Sequence, residues 1–433
     1  MRRTAPPPAL HPADTAPPCA DLRSRCLAFA LAVASVCATS ACNEARAPSV
    51  APDTVVGSPD TAAGTPDTVA GTHDAGTVPD ATSAGDTSAV HDTGIDPALA
   101  DSADLAALAL VGKLRTASLV AAQAPWPGPA PVIWPGWALH KVPLYLVAVD
   151  AKQKPVRGFL VGVAPLPAGA LAVPGHPDAV RWDAGLKDVG PGEIASPQIT
   201  AGGLDLVLAT YTAPRLADPV AWATAVGRVA MLRLHADAGW QQVQGCGQNS
   251  YPRYEEAIAL QLLECAVMQE AVLAPDTATT EARLREWYAL RRRAIEVTVL
   301  VAKRWRHYDV QFGTSTYAAQ RLVTGAGLRA GAQHGAAHVA ALQLLLDATP
   351  AEFDSVSLGY SAPGAAVLEI ATRLGWDVEP AYRTTDAVYH VLPAKLGEPP
   401  AALVDVAKGR HPWAKFAATA AGLMKVPEEG GLP

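Results

Sequence analysis

Val142-Pro-Leu-Tyr-Leu-Val-Ala-Val-Asp150 and Val156-Arg-Gly-Phe-Leu-Val-Gly-Val-Ala164, separated by Ala-Lys-Gln-Lys-Pro, are two apolar runs around a polar turn. Runs of this length and composition, broken by a short polar connection, predict a β-hairpin. Leu204-Asp-Leu-Val-Leu-Ala-Thr-Tyr211 predicts a further strand, and the Pro- and Gly-rich stretches between these segments predict loops. The segment from Asp104 to Pro214 is therefore expected to be mainly β. Trp126, Trp134 and Trp137 stand among prolines ahead of the hairpin. Packing beneath a proline-rich loop is the expectation for them, with a sugar- or peptide-binding surface as the alternative.

Beyond the last strand the periodicity changes. Asp218-Pro219 offers an N-cap followed by proline at the first helical position, and predicts a helix reaching about Gln242. Ile258, Leu262, Cys265, Met268 and Val272 repeat at three- and four-residue spacing, which predicts a second helix over Pro252–Ala274. A third is expected from Thr280 to about Lys303, with Arg285, Arg291, Arg292 and Arg293 on its polar face. More are expected over Ala332–Asp347, Pro363–Leu374 and Thr384–Leu392. The class is α+β, a β-rich front followed by a mainly helical back.

Upstream of the hairpin the chain is of a different kind. A polar lead ends at Arg23 and Arg25 and gives way to the apolar run Cys26–Cys37, about a dozen residues, too short to cross a bilayer as a helix. The run closes on Thr39-Ser-Ala-Cys42, which resembles the lipobox of bacterial lipoprotein signal peptides, with Thr39 where that family usually has Leu. The resemblance implies cleavage before Cys42 and a diacylglycerol on its thiol. Each buried methylene of an acyl chain contributes about 0.8 kcal/mol, so several chains would anchor the protein stably. A plain secretory signal cut nearby is the alternative. Asn43 is not the Asp that favours inner-membrane retention in enteric bacteria, which leaves the outer membrane as the expected address. Cys19, Cys26, Cys37 and Cys42 belong to this region, and only Cys246 and Cys265 remain beyond it, as one bridge or as two separate thiols.

From Asn43 to about Ala100, Pro52-Asp-Thr, Pro59-Asp-Thr and Pro66-Asp-Thr recur every seven residues among Val, Ala and Gly. This composition predicts a disordered tether of about 58 residues with a mean reach of roughly 40 to 45 Å. The expected organisation is a signal peptide over 1–41, a tether over 42–103, a β-rich part over 104–214 and a helical part over 215–433. Of 34 basic and 41 acidic side chains, four basic and two acidic precede residue 42, so the remainder carries a formal charge of about −9. With no cluster of Lys and Arg, a nucleic-acid partner is not expected. The membrane, through the lipid, is the expected partner, together with an unidentified protein, peptide or cell-wall component.

The helical part resembles exported zincin-like proteins, the metallopeptidase fold built around a helix bearing His-Glu-x-x-His. Tyr251-Pro-Arg-Tyr-Glu-Glu-Ala-Ile-Ala-Leu260 with Leu263-Glu264, and then Leu284-Arg-Glu-Trp-Tyr-Ala-Leu-Arg-Arg292, look like two successive helices of that family. Tyr308-Asp-Val-Gln-Phe-Gly-Thr-Ser-Thr-Tyr317 resembles the segment in which Glu-Gly-x-Ala-x-Tyr supplies the third metal ligand. Gly364-Ala-Ala-Val-Leu-Glu-Ile-Ala-Thr-Arg-Leu374 resembles a C-terminal helix near the site. The resemblance spans roughly residues 218 to 395 and implies a zincin-like helical part.

It also implies a site largely emptied of its ligands, because the expected metal helix reads His235-Ala-Asp-Ala-Gly239-Trp-Gln-Gln242. Zinc hydrolysis needs two imidazoles one turn apart, a third ligand, and a carboxylate to take the proton of metal-bound water. In this register Ala236 replaces the general base, Gly239 the second His, and Phe312 the third ligand. Asp237 lies about 100° around the helix from the required face. His334-Gly-Ala-Ala-His338 is a second imidazole pair at i and i+4, with Gly335 where a glutamate would stand and His307, Asp309 or Glu352 as further ligands only if the fold brings them near. Gly359-Tyr-Ser-Ala-Pro-Gly364 does not have Gly-x-Ser-x-Gly spacing and predicts a loop and helix start.

The expected function is that of a lipid-anchored envelope protein whose zincin-like part has no cofactor and acts as a binding or structural module. The alternative is an active zinc-dependent hydrolase using His334 and His338, or His235. A lipoprotein unrelated to the zincin resemblance is the third reading. The anchor has a direct test: Cys42→Ser should move the protein from the membrane fraction to the soluble fraction on extraction of cells, and unchanged membrane retention would refute lipidation at that thiol.

Overall fold

The computed structural model describes residues 99–127, 133–238, 255–298, 308–331, 333–347, 361–379 and 387–423. The signal segment, Cys42, most of the tether, Gly239, Cys246, His307, Glu352 and Gly359 lie outside them. The predicted hairpin is present as β1 (Leu144–Val149) and β2 (Pro155–Val161), antiparallel, with Leu146 opposite Phe159. Its turn is set by Asp150, whose Oδ1 accepts from the backbone of Lys152 and Lys154, both at 2.8 Å. Every residue of β1 is buried. Its run of apolar side chains without polar alternation is what a strand covered on both faces requires.

Four further strands complete one mixed sheet: β3 (Leu171–Val173), β4 (His176–Arg181), β5 (Ala195–Ala201) and β6 (Leu204–Tyr211). Their order is β3-β4-β2-β1-β6-β5, and β6 runs parallel to β1. Leu144, Leu146 and Ala148 point into the main core with the helices. Tyr145, Val147 and Val149 point the other way, into a smaller core with Leu160, Trp182 and Leu208.

The expectation of a mainly β stretch from Asp104 is corrected at its start, where α1 covers Ser102–Ala121. Asp101 caps it, accepting from Ala103 and Asp104 backbone nitrogens, while Asp104 reaches back to the nitrogen of Asp101 at 2.8 Å. Leu108, Val111, Leu114 and Ala117 repeat at three-residue spacing and are all buried, the signature of a helix facing a core. Asp104 is fully buried, paired with Arg157 of β2 at 2.8 Å and accepting from the Tyr211 hydroxyl of β6 at 2.7 Å, so the start of α1 is fixed to two strands.

The remaining elements are helical: the single turn α2 (Ala213–Leu216), α3 (Pro219–Asp237), α4 (Glu255–Leu273), α5 (Thr277–Val297), a π-helical turn (Tyr308–Gly313) leading into α6 (Thr314–Gly325), α7 (Gln333–Asp347), α8 (Ser361–Arg373), α9 (Ala387–Leu396), α10 (Ala402–Arg410) and α11 (Trp413–Leu423). Asp218 caps α3 as the sequence predicts, accepting from the nitrogen of Ala221 at 2.9 Å. Sheet residues and helix residues such as Leu146, Leu260, Trp287, Leu342 and Ile370 share one core, so the β-rich front and the helical back are packed as one body. No helix among the described residues is long and apolar enough to cross a membrane.

Gly364 and Gly112 give opposite expectations for the same substitution. A Cβ on Gly364 in α8 would lie 2.7 Å from the Cα and carbonyl oxygen of Asp309, whereas one on Gly112 in α1 meets nothing within 4 Å. Overpacking costs about 1–3 kcal/mol, and removing a mid-helix glycine gains about 0.5–1 kcal/mol. Gly364→Ala should therefore lower stability and Gly112→Ala raise it, as read from the midpoints of urea unfolding.

Candidate functional site

The resemblance places its site where α3 meets the segment 308–317. Gly227 of α3 makes that meeting close: a Cβ there would sit 3.1 Å from the Cα of Ala319 in α6. Two turns farther along α3, His235 reaches the start of α6, and its Nε2 lies 3.0 Å from Thr314 Oγ1. The Thr314 hydroxyl also contacts the carbonyl of Val310, one turn back. With the hydroxyl hydrogen given to that carbonyl, Nε2 carries the imidazole proton and donates it to Thr314. His235 is 2% exposed, and burial pushes its pKa down to about 3 from 6.5.

α3 and the start of α6 thus meet at His235 and Thr314. The π-turn holding Phe312 packs on the first turn of α8, with the backbones of Gly313 and Gly364 in contact range. Farther along, the Tyr317 hydroxyl is 3.0 Å from Thr372 Oγ1 and Arg321 pairs with Glu369 at 3.0 Å. Phe312 is half-buried two residues before Thr314. Ala236 is exposed, and Asp237, also exposed, pairs with Arg233 at 2.7 Å on the solvent side of α3. Gly239 lies outside the described residues.

These residues do not fit a zinc ion. The single imidazole spends its Nε2 proton on Thr314, and Ala236 and Phe312 bring no ligand atom. His338, at 1% exposure, is packed into the helical body, where α7 lies against α4 and Gln269 donates to the carbonyl of Val339 at 3.1 Å. The side chain of His334 is outside the described set. Among the described residues no group of three His, Cys, Asp or Glu side chains is arranged to hold a metal ion.

Sequence reasoning missed a buried ion cluster in the helical part. Arg291, assigned to the polar face of its helix, is 1% exposed and sits between Glu264 of α4 and Asp309 of the π-turn. Its Nε donates to Glu264 Oε2 at 2.9 Å, its Nη1 to Asp309 Oδ2, and the guanidinium lies 4.7 Å from the centre of the Trp287 ring. Burial pushes both carboxyl groups up, Glu264 to about 7, against the opposing pull of Arg291. The available signal was spacing: Leu284, Trp287 and Arg291 are three and four residues apart, on one stripe of α5. Trp134 and Trp137, for which a binding surface was the alternative, are buried, and Trp126 donates to Asp377 at 2.8 Å. Cys265 is a free buried thiol, and Cys246 lies outside the described residues.

On the front of the molecule a groove of about 500 Å³ lies between α1 and the sheet, lined by Leu108, Arg115, Leu119, His140, His176 and Asp178 among others. Arg115 forms its rigid wall, donating to the carbonyls of Leu139, His140 and Val142. Burial holds both imidazoles below their ordinary pKa. No family model matches the chain, and no curated protein or solved structure compared with it does so either.

The burial of His235 has a pH consequence with a definite sign. Its pKa is lower in the folded than in the unfolded chain, so unfolding takes up a proton below pH 6.5 and the folded state loses stability as pH falls from there toward 3. In an NMR titration the His235 ring should remain neutral at pH 5, and protonation at that pH would contradict the sealed, Thr314-bonded imidazole.

Proposed function

We propose that the chain is a lipid-anchored protein of the cell envelope whose zincin-like part serves as a binding or structural module and not as a peptidase. One observation carries this reading. The histidine left from the expected metal helix is closed off from solvent and hydrogen-bonded to Thr314, in the segment where the family would place its third ligand. An imidazole whose Nε2 donates to a hydroxyl presents no lone pair there to a metal. Hydrolysis by metal-bound water also needs a nearby base, and Ala236 faces solvent without one.

The convergence of α3, the π-turn and α8 supports the zincin-like part of the reading, since these are the elements that the resemblance sets around one site. The front groove, with both polar and apolar walls, supports a surface for a small polar partner or an extended chain. The anchor and tether rest on Cys42 and on the repeats that follow it.

Metal analysis of the purified protein by mass spectrometry, paired with peptide cleavage assayed with and without chelator, tests the reading. Substoichiometric zinc and no chelator-sensitive cleavage are expected. Stoichiometric, tightly held zinc with chelator-sensitive cleavage overturns it, and loss of that zinc in His338→Ala would assign the metal to the His334–His338 pair.

A further inference from the structure

Glu264, Arg291 and Asp309 place two carboxylates and one guanidinium at exposures of 0%, 1% and 2%. With all three ionised the cluster carries one net negative charge out of reach of water, and such a charge is strongly disfavoured. The hydrogen bonding is uneven in the same sense. Arg291 donates to Glu264 Oε2 and Asp309 Oδ2, while Glu264 Oε1 and Asp309 Oδ1 are both buried without a hydrogen-bond partner. A carboxylate oxygen accepts only, so these two atoms are left without a donor unless one group carries a hydrogen.

Among the described residues, the neighbouring charged groups named below are committed elsewhere and do not settle the deficit. From α4 the cluster meets the thiol of Cys265, whose pKa burial raises, and from α8 it meets the backbone of Gly364 beside Asp309. Other charged groups on these and adjoining helices are committed elsewhere: Glu270 and Glu286 to Arg283 and Arg410, Glu256 to Arg293, and Arg321 of α6 to Glu369 of α8. Arg373 of α8 donates to the carbonyls of Ala271 and Val272, and Lys415 of α11 is exposed. His235 on α3 is held neutral by burial, and His338 on α7 is buried as well.

We propose that Glu264 and Asp309 form a proton-binding site, holding one proton between them beside Arg291, and that its release to water as pH rises loosens the π-turn that carries Asp309. One bound proton makes the cluster neutral and turns one of the two idle oxygens into a donor. Once it leaves, the restored charge is relieved most directly by moving Asp309, because Glu264 is in the middle of a long helix whereas Asp309 stands in a six-residue turn. That turn leads into α6 and the Thr314 contact with His235.

The sign follows from linkage. A carboxyl group with its pKa raised by folding is protonated in the folded chain and ionised in the unfolded one, between the ordinary value of 4.5 and about 7 for Glu264. Stability from this site therefore declines as pH rises through that window, opposite to the His235 effect.

Thermal unfolding of the wild type, Glu264→Gln, Asp309→Asn and the double variant from pH 5 to pH 8 tests the proposal, with the His235 contribution common to all four. Either single amide should lose the decline, so that its Tm relative to wild type rises with pH and is equal or higher at pH 8. The double variant, with Arg291 buried and no counter-charge, should melt below wild type at every pH. Amide hydrogen exchange over residues 308–317, corrected for its intrinsic pH dependence, should speed up between pH 5.5 and 8 in wild type and not in Glu264→Gln. Equal destabilisation by each amide at pH 5 and pH 8, or failure of both single variants to fold, overturns the proposal.

Discussion

A guanidinium that cannot shed its charge, buried at Arg291, constrains the whole helical back. An arginine in that position stays ionised at any working pH, so its counter-charges must be brought to it by the fold. Glu264 comes from α4 and Asp309 from the π-turn, so one side chain of α5 ties three elements together. Trp287, one turn before it, lies against the guanidinium and excludes water on that side. Because Asp309 is held, the π-turn is held; because the π-turn is held, α6 begins where His235 can reach Thr314. Gly364 permits the same arrangement from the other direction, since a side chain there would strike the Asp309 backbone.

The front is organised by an analogous device with a different balance. Asp104, fully buried, receives Arg157 and the Tyr211 hydroxyl, and Arg157 also meets Asp101 at the helix cap. Here two carboxylates face one guanidinium as in the other cluster, but Arg157 and Asp101 retain contact with solvent, so water screens the residual charge. Two similar ion clusters therefore differ in consequence: the partly exposed one fastens α1 to the sheet, whereas the sealed one has to settle its charge internally.

The hairpin, the strand at Leu204–Tyr211 and the cores of α3, α4, α5, α7 and α8 were legible because each carries an apolar run or a repeating stripe that a single sequence displays. Three strands were not. β3, β4 and β5 are short or interrupted by polar residues, as in His176-Pro-Asp, and owe their place to pairing with neighbours already in the sheet. α1 was obscured because its residues precede a strand-rich stretch, although Asp101 and Asp104 form a capping box in plain view. Arg291 was read as surface because charge usually is; its spacing from Leu284 and Trp287 places it on the buried stripe. The candidate site was half legible. His235 was singled out in the sequence, but its Thr314 partner depends on a close helix approach through Gly227 that no local pattern announces.

His235 also bears on what a buried histidine on a helix implies. A histidine at the position where the proposed zincin-like reading would set a first metal ligand invites the idea of a metal site, yet a buried, neutral imidazole bonded to a hydroxyl contributes packing and a satisfied polar contact in its own right. The position therefore needs no metal to account for its histidine. The same reasoning separates it from Ala236 and Phe312, whose side chains carry no polar atom. On the proposed reading, chemistry has been replaced by packing at the residue where packing could use the old side chain. On that same proposed reading, the groove between α1 and the sheet, with Arg115, His140, His176 and Asp178 on its walls, is a surface that a partner could meet.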